Sequence, residues 1–204
     1  MEEQEILDSL KNFWREYGFK LLGGLAIITS IVLAQMFYEN KKEIRNISAS
    51  ADYEELLGLL SNNKTSEAKM LAEAITTTYI NTEYSRLSKL LLAQIAVSKN
   101  KVDEAITIYR EICDEKSSLG LNEVARSRLI RIYLSLNRID EAKKLLEKIE
   151  SLDGFYELKG DIEAKMNNTD KAKIFYQQAI RQAEKLGYSP DILLQKMHNL
   201  SVMK

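Results

Sequence analysis

A turn pattern that occurs four times constrains the fold of this chain more than any other feature. Each copy begins with an asparagine, has a serine or aspartate three residues later and an alanine five residues later, and is followed by apolar residues at helical spacing. The alanines, at intervals of 37, 37 and 30 residues, are Ala68, Ala105, Ala142 and Ala172. A period in this range, with one small residue fixed relative to a turn, is typical of stacked helical hairpins.

The polar residues of the pattern predict where helices end and begin. Asparagine tolerates the left-handed backbone conformation that commonly follows a helix. One helix should therefore end at each of Asn63, Asn100, Asn137 and Asn167. Serine and aspartate are preferred N-cap residues. The expected N-caps of the following helices are Ser66, Asp103, Asp140 and Asp170.

The apolar residues of the pattern predict how the two helices of a hairpin pack. Each alanine should let the helices approach closely, and an aromatic residue stands four positions later in two copies. Twelve positions before the alanine, on the first helix, lie Leu56, Ala93, Ile130 and Gly160. A small residue on the first helix, alanine on the second and an aromatic four later is the tetratricopeptide pattern. The residues that define it here are Ala68, Ala93, Ala105, Tyr109, Ala142, Gly160, Ala172 and Tyr176.

The composition agrees with an all-α protein and excludes several kinds of site. One proline and eight glycines in 204 residues leave little room for strands and turns. The 29 basic and 30 acidic residues balance, so bulk charge predicts no nucleic-acid partner. With a single cysteine and a single histidine, the sequence predicts no metal site, no cofactor and no small-molecule substrate.

The N-terminal region predicts a membrane anchor. Residues 21–37 form an uncharged apolar run that, with its flanking aromatics, approaches the roughly 20 residues needed to cross a bilayer. A cleaved signal peptide and a buried core helix remain alternatives, although the region before the run is long and net acidic. Trp14 and Tyr17 should lie at the membrane interface; the alternative is a helix docked on another protein. Basic residues flank the run on both sides, so charge does not decide its orientation.

These features divide the chain into five predicted segments: an amphipathic helix (1–18), a transmembrane helix (19–38), a stalk (39–51), a superhelix of about four tetratricopeptide-like hairpins (52–188) and a C-terminal capping helix (189–204). A serine, a proline and an aspartate at 189–191 should open the capping helix, which carries the apolar residues Ile192, Leu193, Met197, Leu200 and Val202.

The chain resembles the YfgM-like family, ancillary subunits of the bacterial SecYEG translocon. The resemblance lies in the order of six segments: LKNFWREYG (10–18), YSRLSKLLLA (84–93), ARSRLIRIY (125–133), ELKGD (157–161), YQQA (176–179) and LQKMHNL (194–200). It implies a single-pass inner-membrane protein with a cytoplasmic N-terminus and periplasmic repeats. It further implies association with the translocon and with a PpiD-like membrane-anchored chaperone, as an adaptor without enzymatic activity. An alternative is a scaffold for another membrane or envelope complex.

Candidate binding residues lie on the first helix of the third hairpin. Arg126, Arg128 and Arg131 are expected there, with Arg128 and Arg131 one turn apart. They are candidates for holding an acidic segment of a partner; the alternative is a solvated face with local ion pairs. Glu157 and Asp161 stand four apart on one helix, but no histidine or nucleophile accompanies them, so a structural role is expected rather than catalysis.

Overall fold

The computed structural model describes residues 2–115, 120–149 and 155–202. Met1 and residues 203–204, at the ends of the predicted segments 1–18 and 189–204, lie outside the described residues, and so does the side chain of Val202. The described residues are all-helical, without strands, as predicted. The helices are α1 (Glu2–Ser61), α2 (Thr65–Thr78), α3 (Glu83–Ser98), α4 (Val102–Asp114), α5 (Leu121–Ser135), α6 (Ile139–Leu146), α7 (Tyr156–Lys165), α8 (Thr169–Lys185) and α9 (Asp191–Val202).

The chain divides into two units, Met1–Ala51 and Asp52–Lys204, and the first consists of the greater part of α1. Large apolar side chains along residues 19–38 are exposed, and this helix is long and apolar enough to cross a membrane. The hydroxyls within the run are satisfied inside the helix, because Thr29 donates to the carbonyl of Leu25 (2.8 Å) and Ser30 to that of Ala26 (2.7 Å). Such internal bonding suits a helix surrounded by hydrocarbon.

The predicted asparagine turns are confirmed. Asn63, Asn100, Asn137 and Asn167 have φ of 58°, 58°, 58° and 61°, in the left-handed region. After α3, the amide of Lys101 donates to the carbonyl of Ala96 (2.8 Å), and that of Asn100 to Val97 (2.9 Å). These two bonds form a Schellman motif. The same pair of bonds closes the helix before Asn137 and before Asn167.

The predicted N-caps are wrong. In the second hairpin the carbonyl of Lys101 accepts from the amide of Ala105 (3.1 Å), so Lys101 itself is the N-cap and α4 begins at Val102. The Schellman motif leaves no room for a later start, because the residue that closes one helix also opens the next. The predicted caps Ser66, Asp103, Asp140 and Asp170 all stand at the second position of their helices. At that position the three aspartate carboxylates interact favourably with the positive end of the helix dipole.

The repeat positions are buried in three apolar clusters. The largest extends from α3 to α7 and includes Ala93, Ala105, Tyr109, Ile130 and Ala142. A second joins the end of α1 to α2 through Leu56, Ala68 and Ala72. A third joins α8 to α9 through Ala172, Tyr176 and Leu200. Since each cluster includes residues from adjacent helices, the hairpins hold one another in a stack.

The last helix packs as a cap with one correction. α9 begins at Asp191, and Leu193, Met197 and Leu200 pack against α8, whereas Ile192 is 68% exposed and does not belong to the packed side. The shorter interval between Ala142 and Ala172 corresponds to two short helices, since α6 has 8 residues and α7 has 10.

Candidate partner-binding groove

The fourth hairpin brings the repeat pattern and a charged cluster together. Gly160 of α7 faces the ring of Tyr176 of α8, so closely that a Cβ at Gly160 would stand 2.4 Å from Tyr176 Cε1. The missing side chain lets the ring enter between the helices, where Tyr176 is 3% exposed. Its hydroxyl donates to Asp161 Oδ1 at 2.8 Å. The small and aromatic positions of the repeat therefore fix the orientation of an acidic side chain.

Lys196 of α9 neutralises two carboxylates of α7. Its ammonium donates to Asp161 Oδ1 and Oδ2, each at 2.7 Å, and to Glu157 Oε1 at 2.8 Å. Glu157 also accepts from Arg131 Nη2 of α5 at 3.3 Å. Since Asp161 and Glu157 are 17% and 35% exposed, these ion pairs are partly shielded from water. The cluster links α5, α7 and α9.

The pKa values in the cluster follow from burial and from these partners. Burial raises the pKa of Glu157, but the hydrogen bond and charge of Lys196, helped by Arg131, outweigh it, so the pKa ends below the usual 4.5. The pKa of the Tyr176 hydroxyl is strongly raised, first by burial and then by its hydrogen bond to Asp161. At neutral pH Glu157 is therefore an anion and the phenol of Tyr176 keeps its proton.

Beside this cluster lies a groove of about 450 Å³ between α5, α7 and α9. Its apolar lining comes from Leu134, Ala164, Leu200 and the ring of Tyr176. The charged side chains at its wall are Arg131, Asp161, Lys165 and Lys196. A mostly apolar lining with a few placed charged groups is typical of a binding site.

The three predicted arginines have different surroundings in the structure. Arg131 lines the groove, whereas Arg126 donates to the backbone carbonyls of Cys113 (3.1 Å) and Lys148 (3.3 Å) and so ties together the ends of neighbouring helices. Arg128 is half-buried and makes no hydrogen bond or ion pair within the described part of the chain. The residues at the same repeat position in the neighbouring hairpins are Leu91, 37 residues earlier, and Leu158, 30 residues later. Leu91 packs against one core cluster and Leu158 belongs to another.

The carboxylate pair of α7 has structural partners on neighbouring helices. Glu157 and Asp161 bond between helices, as expected from the sequence. Among the described residues no group of three or more His, Cys, Asp or Glu side chains is placed to hold a metal ion. Burial raises the pKa of the Cys113 thiol to about 11, and His198 is exposed on α9.

Sequence reasoning missed Lys165 and Lys196. The sequence contains one signal for Lys196. Two acidic residues four apart on one helix face repel each other, which favours a cation nearby. Lys196 also stands next to Met197 on the apolar side of α9, which faces the preceding hairpin. Which helix would supply the cation, however, depends on packing between residues 39 positions apart.

Comparison with known proteins agrees with this architecture. The sequence profile of the tetratricopeptide repeat-like domain matches residues 11–202, nearly the whole chain. Neither a search of curated proteins nor a search of solved structures finds a match.

Proposed function

The chain belongs to the tetratricopeptide repeat-like domain family, and we propose that it is a membrane-anchored adaptor at the Sec translocon that passes emerging proteins to periplasmic chaperones. Helical hairpins of this kind stack into scaffolds that bind other proteins through extended surfaces. The observation that carries the proposal is the groove between α5, α7 and α9, which lies in the same chain as an exposed apolar helix long enough to cross a membrane.

The proposed partners are the SecYEG translocon and a PpiD-like chaperone. Support for them comes from the order of the six segments that resemble the YfgM-like family, which extend from residue 10 to residue 200. In this account residues 19–38 span the inner membrane, residues 39–51 form a stalk, and Trp14 and Tyr17 lie at the cytoplasmic interface. In the structure Tyr17 stacks on Phe13 with ring centroids 5.3 Å apart, and Lys20 lies over the Tyr17 ring, an arrangement suited to the headgroup region.

Copurification tests the partners. The full chain, extracted from membranes in mild detergent, should bring the translocon with it, and a variant with residues 52–202 replaced by an unrelated soluble domain should bring much less of the chaperone. If the full chain isolates neither translocon nor chaperone, these partners are wrong.

Protease accessibility tests the orientation. Protease added outside spheroplasts should degrade residues 52–202 and leave the N-terminal segment protected. A repeat domain that stays intact until the inner membrane is permeabilised would place it in the cytoplasm and contradict the proposed periplasmic role.

A further inference from the structure

Around the groove the carboxylates have hydrogen-bond partners, whereas two of the cations have donors that are not used. Both carboxylates are occupied, since Asp161 accepts from Lys196 and Tyr176, and Glu157 accepts from Lys196 and Arg131. Among the cations, Lys165 is exposed and has no hydrogen bond or ion pair within the described part of the chain. Arg131 is 49% exposed and uses one of its N–H groups at 3.3 Å. A guanidinium has five N–H donors, so most of those of Arg131 stay available.

An occupant with a carboxylate would therefore find free donors, whereas a cationic occupant would find only carboxylates that already have partners. The ends of α5 and α7 adjoin the groove, and the negative ends of their helix dipoles oppose an anion. Those dipole charges are fractional, and the last carbonyls are bonded within the asparagine turns, as when Ala164 accepts from the amide of Asn167 (3.0 Å). The full charges of Lys165 and Arg131 outweigh them.

The apolar lining adds a second requirement. Leu200 of α9, the Tyr176 ring of α8 and Ala164 of α7 all line the groove. An apolar side chain placed there would remove its surface from water without displacing a polar group. The capping helix thus supplies one wall of the groove, through Lys196 and Leu200, in addition to closing the stack.

We infer that the groove between α5, α7 and α9 binds an acidic segment of a partner protein in which an apolar side chain stands beside carboxylates. The apolar side chain enters against Leu134, Ala164 and Leu200, and a carboxylate bonds to Lys165 and Arg131. The inference rests on the proposed adaptor function and names the chemistry of the segment that the adaptor recognises.

A peptide titration with the purified full chain in zwitterionic nanodiscs tests this. The probe is a short fluorescent peptide with leucine between glutamates, and the comparison peptides replace the glutamates by lysine or the leucine by serine. Fluorescence anisotropy should show the acidic peptide binding about tenfold more tightly than either comparison peptide, and more weakly as salt rises.

Two charge reversals provide the matched pair of variants. Lys165→Glu alters a lysine in the last turn of α7 at the groove, and Lys144→Glu alters an exposed lysine in the last turn of α6 away from it. Lys165→Glu should weaken binding of the acidic peptide by about tenfold, since reversal replaces an attraction by a repulsion, and Lys144→Glu should not change it.

The inference is overturned if the lysine peptide binds as tightly as the acidic one, if the two variants behave alike, or if no peptide binds. Because the titration contains no translocon, such a result leaves the proposed function standing when the translocon still copurifies. If the peptide binds but the translocon does not copurify, the inference about the groove stands and the proposed translocon partner is wrong.

Discussion

Tyr176 occupies the space that the absent side chain of Gly160 leaves, and from that position its hydroxyl bonds to Asp161. One contact thus serves both the stacking of α7 on α8 and the charged wall of the groove. Lys196, which bonds to the same carboxylate, extends this link to the capping helix.

Replacing Gly160 by alanine should destabilise the repeat domain. A Cβ would lie 2.4 Å from a ring that is buried and bonded at its hydroxyl, so the ring cannot move away cheaply. We expect a cost of about 1–3 kcal/mol from overpacking, larger than the gain of up to about 1 kcal/mol from the helix propensity of alanine. Urea unfolding followed by circular dichroism measures it.

Gly58→Ala is the matched control. Gly58 also lies within a helix, but an added Cβ would meet nothing within 4 Å. This variant should be as stable as the natural chain or slightly more stable. Equal effects of the two substitutions would show that the Tyr176 contact is not what requires glycine at position 160.

Lys196→Met should destabilise the domain in a pH-dependent way. The substitution leaves Glu157 and Asp161 adjacent without their shared cation, at a cost of about 1–2 kcal/mol, between the values for exposed and buried pairs. Because the pKa of Glu157 is lowered below 4.5, its ion pairs stabilise the fold fully only above about pH 4.5, and this contribution is lost as pH falls through the folded pKa.

Urea midpoints of the natural chain and of Lys196→Met, measured from pH 7 downward, test this sign. The difference in unfolding free energy should be largest at pH 7 and should narrow below about pH 4.5. A difference that stays constant across this range would mean that Lys196 stabilises α9 by packing rather than by charge.

The turn asparagines should tolerate glycine better than alanine. Asn137 has φ of 58°, a conformation that costs a residue with an ordinary Cβ about 1–2 kcal/mol and glycine almost nothing. Asn137→Gly should therefore leave the urea midpoint nearly unchanged while Asn137→Ala lowers it. Similar midpoints for both variants would contradict a requirement for the left-handed conformation.

The Cys113 thiol should react slowly while the chain is folded. Burial raises its pKa to about 11, above its ordinary 9.0, so very little thiolate exists at neutral pH. An aromatic disulfide reagent should label Cys113 much faster in urea than in buffer. Folded-state labelling as fast as that of a free thiol would show that the side chain is accessible.

The raised pKa of the Cys113 thiol should also lower the stability of the fold in alkali. Since the folded thiol keeps its proton up to about pH 11 and the unfolded one loses it from about pH 9, folding should weaken between these values. In Cys113→Ala the unfolding free energy should lack this part of the pH dependence. The comparison thereby separates the effect of the thiol from that of lysines and tyrosines that titrate in the same range.

The frame of the fold was predictable because it depends on local chemistry that repeats. The turn asparagines act through backbone conformation, and small residues such as Ala105 act through close packing. Each of these signals can be read within a single repeat. The N-caps were misassigned because the Schellman bonds place Lys101 at the end of one helix and the start of the next. A preference for aspartate as a cap does not override that geometry.

The groove was less predictable because its residues come from different hairpins. The sequence places Arg131 and Arg126 on one helix as candidate binding residues, but in the structure Arg131 lines the groove whereas Arg126 donates to backbone carbonyls. Lys196 reaches Glu157 across 39 residues, a contact that no local pattern specifies. The groove combines a repeated residue, Tyr176, with charged residues that differ between hairpins, such as Arg131, Lys165 and Lys196.

Photo-crosslinking in intact membranes tests most directly whether the groove is where the adaptor meets its partners. A photoreactive residue at Ser135 would stand at the groove without removing any of its charges, and one at Lys143 on α6 would be exposed away from it. We predict crosslinks to the translocon or its chaperone from Ser135 that disappear in the Lys165→Glu background, and none from Lys143. Crosslinks from Lys143 alone, or none to these partners from Ser135, would contradict the account.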